Sequence, residues 1–127
     1  MSKKAMNKLR YKIIKEQVFG TETLFYQCDD ERKVSAHAKR KYDINLDAKE
    51  LKLLDGSCIE FHNKNDGVMW VVWVRNRDDW KVMVHEASHL VFRILDTCGV
   101  KYKSANDETW CYLHGYYISK FWHEMCK

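Results

Sequence analysis

The chain has 127 residues, with 22 basic and 18 acidic side chains, 46% hydrophobic and 13% aromatic residues, no proline and five cysteines. That length and apolar fraction allow one modest core and exclude a wholly disordered chain. No stretch approaches the roughly 20 apolar residues of a membrane-spanning helix, and Lys12, Lys15 and Glu16 break up the apolar residues between Tyr11 and Phe19 that a secretory leader would need, so a cytoplasmic protein is expected.

The positive charge is concentrated at the start. Lys3, Lys4, Lys8, Arg10, Lys12 and Lys15 fall in the first 15 residues with no acid among them, leaving the rest of the chain at net −2. Residues 1–15 are therefore read as a basic arm and residues 16–127 as one domain, since no repeat or Ser/Gly-rich linker divides them. A solvated arm needs no partner. An arm that binds nucleic acid would show steep salt dependence.

Lys12 to Phe19 and Thr23 to Gln27, rich in β-branched and aromatic residues around Gly20, predict two short strands. Asp29 or Asp30 is placed to cap a helix reaching Tyr42, and a shorter helical segment follows from Asp47 to Leu54, with Gly56 as its stop. Between Ser57 and Arg75, two apolar runs flank Asn65-Asp66-Gly67, which is β-hairpin turn chemistry. The second run, Val68 to Val74, is apolar on both faces and requires cover on both, by helices on one and by more protein or a ligand on the other. Asn76 or Asp78 caps a helix from Asp79 to Thr97 that Gly99 ends, and Ser104 with Asp107 resembles a capping box for a last helix reaching Met125. The fold class is α+β, with an antiparallel hairpin or sheet packed on two long helices.

Within the first long helix lies His85-Glu86-Ala87-Ser88-His89, an H-E-x-x-H motif. Residues i and i+4 project about 40° apart, so both imidazoles can bind one zinc ion, while Glu86 reaches a water held by that ion. With six histidines and eight glutamates in the chain, about 0.02 accidental matches are expected. The five cysteines are odd in number and include no C-x-x-C pair, so neither a disulfide framework nor a zinc ribbon accounts for them.

A catalytic zinc takes a third protein ligand. The downstream candidates are Glu108, His114, Cys111 and His123. Glu108 is preferred, because it lies in the first helical turn where the positive helix terminus favours a carboxylate; His114, about 240° away in projection, stands second and Cys111 third. Tyr112 and Tyr116 project toward the Glu108 side and are candidate donors to an oxyanion, Tyr112 first.

His85-Glu86-Ala87-Ser88-His89, Ile94-Leu95, Cys98-Gly99-Val100, Asn106-Asp107-Glu108 and Cys111-Tyr112-Leu113 together resemble the small zincin-like metallopeptidases encoded by tailed bacteriophages, over residues 57–125. The resemblance implies a zincin-like fold, a gluzincin-type site with His85, His89 and Glu108 on Zn2+, Glu86 as general base, a peptide or protein substrate, and an origin in the bacterial host cytoplasm. Two other functions are compatible with the residues: a zinc-stabilised module that engages a host protein without turnover, and a nucleic-acid-associated protein using the basic arm.

Overall fold

A computed structural model describes residues 8–62 and 68–127. The Asn65-Asp66-Gly67 turn and residues 1–7 of the basic arm lie outside the described residues. The elements are β1 (Arg10–Glu16), β2 (Thr21–Gln27), α1 (Glu31–Tyr42), α2 (Ala48–Leu51), β3 (Gly56–His62), β4 (Val68–Val74), α3 (Trp80–Thr97), a 3-10 turn (Ser104–Asn106) and α4 (Asp107–Met125). The α+β class expected from the sequence is the one observed.

The four strands form one sheet in the order β1-β2-β4-β3. It is mixed, not purely antiparallel: β1 with β2 and β3 with β4 run antiparallel, but the central pair β2–β4 is parallel. Two parallel strands need a crossover, and the chain makes it through α1, α2 and β3. The apolar runs of β2 and β4 follow from this position, because central strands are covered on both faces. Trp70, Val72 and Phe25 pack against α3 and α4 on one face. On the other, Val71, Trp73, Leu24 and Tyr26 meet Val34, Ala38 and Leu51 of α1 and α2. Phe25 stacks on Phe121 of α4 with ring centroids 4.5 Å apart, and both rings are fully buried. Each such side chain contributes about 2–3 kcal/mol by leaving water.

The helix limits show which local signals acted. Asp30 caps α1 by accepting from Arg32 N–H at 3.0 Å. Asp79, not Asn76 or Asp78, caps α3, accepting from Val82 N–H at 3.2 Å, and Gly99 follows its end with φ +75°. Ser104 opens the 3-10 turn instead of capping the helix, and α4 starts at Asp107 after Asn106, which makes no side-chain capping hydrogen bond. α2 ends at Leu51, and Gly56 is the first residue of β3, not a helix stop.

The boundary of the basic arm also shifts. Arg10, Lys12 and Lys15 lie in β1, paired along its length with β2. Arg10 is buried, donating to Gln27 Oε1 at 2.8 Å, while Lys12 faces Glu124 at 3.7 Å and Lys15 faces Glu22 at 3.8 Å. β1 therefore belongs to the domain.

Arg75, just after β4, ties the crossover to the sheet. Its guanidinium donates to the carbonyls of Asp29 (2.7 Å), Leu51 (2.9 Å) and Leu54 (3.0 Å) and to Glu31 Oε2 (3.1 Å). It also lies 4.9 Å from the Trp73 ring, and the Arg75 backbone N–H donates to the Asp55 carbonyl at 2.8 Å. One planar fork thus holds the 51–55 segment that leads into β3.

Candidate metal centre

α3 buries Met83, Ala87, Leu90, Val91, Ile94 and Leu95 against the sheet and α4. The H-E-x-x-H residues occupy the edge of that face. His85 and His89 are exposed, whereas Glu86, about 100° round the helix from His85, is only 6% exposed. Ser88 turns back to its own helix, donating to the Val84 carbonyl at 2.8 Å.

The two imidazoles meet as the spacing requires, with Nε2 atoms 3.1 Å apart and rings edge to face. Zinc–nitrogen bonds of about 2.05 Å at a tetrahedral angle would separate two such nitrogens by about 3.3 Å. His85, Glu86 and His89 are, among the described residues, the group of three whose ligand atoms converge, all within 4.8 Å of one another. Burial lowers the pKa of His89, and repulsion from Arg93, and from His85 whenever it is protonated, lowers it further, which favours the neutral imidazole a metal needs.

Glu86 has the converse problem. Burial raises its pKa against the opposing pull of His85 and Arg93, and its Oε2 has no hydrogen-bond partner among the described residues. A buried carboxyl oxygen left unpaired is costly unless something is to be bound there. This orphaned atom, together with two nitrogens at chelating distance, fits a zinc ion with its water.

The site opens into a groove of about 410 Å³ whose walls include Asp55, Gly56, Ser57, Cys58 and Arg93. β3, which supplies Gly56 to Cys58, is an edge strand of the sheet. Arg93, two turns beyond His85 on α3, donates to the Cys58 carbonyl and so joins helix to strand. Burial pushes the Cys58 thiol up to about 12, which makes the sulfur a neutral part of the wall.

At Gly56, β3 lies close against α3. A Cβ there would lie 2.5 Å from Val82 Cγ1, 3.0 Å from Glu86 Cγ and 3.0 Å from the Trp73 carbonyl oxygen. Val82 is stiff at χ1 and the carbonyl is fixed in the sheet, so neither can yield cheaply. Gly56→Ala is expected to cost about 1–3 kcal/mol through this overpacking, measured as a lowered urea midpoint with an unchanged slope. A variant as stable as the wild type would show that β3 can move off the helix.

Glu108 and Tyr112 are not brought to the histidines. Trp110, Leu113, Tyr117 and Phe121 form the buried stripe of α4, spanning about 140° to 220° from Glu108 in projection, so Glu108 points the opposite way. It lines a separate groove with Val18, Phe19, Thr109 and Tyr112. The Tyr112 hydroxyl is engaged there, donating to Glu16 Oε1 at 3.0 Å, and the same carboxylate accepts the N–H groups of Val18 and Phe19 at 2.7 Å each. Its role is to dock the β1–β2 turn on α4. The second and third choices also stand apart from the convergent group: His114 Nδ1 pairs with the Trp110 carbonyl at 2.9 Å, and Cys111 is exposed. Tyr116 donates to the Lys15 carbonyl at 3.2 Å.

Asp55, Gly56, Cys58 and Arg93 escape a motif-based reading. Only Arg93 carried a signal, as the third member of an i, i+4, i+8 stripe with His85 and His89. Among the described residues no helix is long and apolar enough to cross a membrane. Compared with family models, curated proteins and solved structures, the chain matches none.

Proposed function

We propose that the chain is a zinc-dependent hydrolase of zincin type that cleaves a peptide bond, with His85 and His89 holding the ion and Glu86 as general base. The observation that carries this reading is the pairing of two exposed imidazole nitrogens 3.1 Å apart with a buried, unpartnered glutamate oxygen, at a groove beside an edge strand. Asp55, the other acid in the groove wall, stands outside the convergent group. Zinc bound there supplies a water of lowered pKa and a Lewis acid for the substrate carbonyl.

The protein's own groups do the rest. Glu86 Oε2 takes a proton from the attacking water and returns it to the leaving amine. Arg93 takes the part expected of Tyr112: its guanidinium lines the groove and offers donors to a developing oxyanion, beyond the one spent on the Cys58 carbonyl. The free edge of β3 gives an extended substrate backbone hydrogen-bonding groups to pair with.

A purely structural zinc is less well supported. A staple gains stability by joining separate elements, whereas the convergent ligands here all come from α3, which already packs on α4 through an apolar core. The test is incubation of zinc-loaded protein with a mixed peptide library, read by mass spectrometry. Cleavage is expected, with loss on chelation and recovery on adding zinc; a library left intact under zinc saturation would contradict hydrolysis.

A further inference from the structure

Arg93 separates the metal groove from a second, apolar one on the same side of α3. Arg93 lines both, and the second, of about 540 Å³, is floored by Phe92, Val100, Tyr102 and Trp110. Three rings converge there: Phe92 and Tyr102 have centroids 4.5 and 5.1 Å from Trp110 and 6.3 Å from each other. Trp110 is buried, but Phe92 is 49% and Tyr102 75% exposed. Exposed aromatic side chains clustered around a buried one form the kind of patch that marks a binding surface.

The position along α3 sets what can reach it. Phe92 lies five residues beyond the midpoint of His85 and His89, or about 7.5 Å along the helix axis. Alternate side chains of an extended peptide are about 6.7 Å apart. A peptide that runs along α3 toward its C-terminal end, with its reacting carbonyl at the histidine pair, would place the side chain two residues away over the three rings. Of the charged groups on the rim, Asp96 offsets one of Arg93 and Lys101 and leaves a net +1, while the floor is apolar.

We propose that this groove is the specificity subsite of the hydrolase, accepting an aromatic or branched aliphatic side chain two residues from the scissile bond. The proposal rests on the metal-centre reading above and adds the substrate class to it. Phe92 and Tyr102 are specificity-determining residues, and neither touches the reacting atoms.

Tripeptide hydroxamates, whose hydroxamate chelates zinc, test it by calorimetry on the zinc-loaded protein, with the second residue from the chelating group varied among Phe, Leu, Ala and Asp. Phe or Leu is expected to bind at least about tenfold more tightly than Asp, as burial of such a side chain implies. In Phe92→Ser and Tyr102→Ser that preference should shrink to about twofold or less, with zinc content unchanged. A wild type with no preference at the second position, or a preference that survives both substitutions, overturns the subsite while bound zinc leaves the metal centre standing. A protein that takes up no zinc overturns the metal centre and this proposal together.

Discussion

Glu86→Gln is expected to retain zinc and lose hydrolysis. Glutamine matches glutamate in shape, so the packing of its stem against Gly56 is preserved, but an amide cannot accept the proton that the attacking water must give up. General-base assistance contributes about 10²–10⁴-fold, and the loss should fall in that range or below detection. The substitution also replaces a buried, unpartnered carboxylate by a neutral group, so stability should hold or rise. Both readouts matter. Cleavage within about fivefold of wild type would deny Glu86 the role of base, and loss of zinc would make it a ligand.

Arg75→Ala carries the largest expected cost in stability, about 3 kcal/mol, because it removes at once the donors to Glu31 and to the carbonyls of Asp29 and Leu51 in partly buried positions and to the Leu54 carbonyl at the surface. Zinc affinity should fall with it, since Asp55 and Gly56 lie at the end of the segment that Arg75 holds. Arg75→Lys should recover little, as one ammonium cannot span acceptors arranged for a planar fork. Urea unfolding and a zinc titration on the same variants measure the two effects. A loss of under about 1 kcal/mol would mean that water replaces the guanidinium without strain.

The parts of the fold that were legible in the sequence are those written in local periodicity. The strands around Gly20, both long helices and the β3–β4 pair follow from apolar spacing and turn chemistry, and the His85–His89 pair follows from helical geometry alone. Long-range pairing is not local. Nothing within β2 or β4 announces that they run parallel, and although the two apolar faces of Val68 to Val74 demanded cover, they did not say that α1 and α2 supply it.

Glu108 points away from the histidines for a reason the sequence does contain. Trp110, Leu113, Tyr117 and Phe121 recur at helical spacing and set the buried side of α4. Projecting the candidates relative to Glu108 alone, without that stripe, left the direction of the whole helix undetermined. Gly56 and Asp55 had no such signal. A glycine after a polar segment reads as a helix stop, and its function as the point where β3 meets Glu86 exists only in three dimensions.

Zinc content most directly tests the claim that a metal ion is held by the two histidines of α3 without Glu108. Elemental analysis of protein purified without a metal-binding tag, after exposure to zinc and desalting, should find about one zinc per chain in the wild type and in Glu108→Ala and almost none in His89→Ala. A wild type that retains no zinc, or a Glu108→Ala variant as empty as His89→Ala, would contradict it.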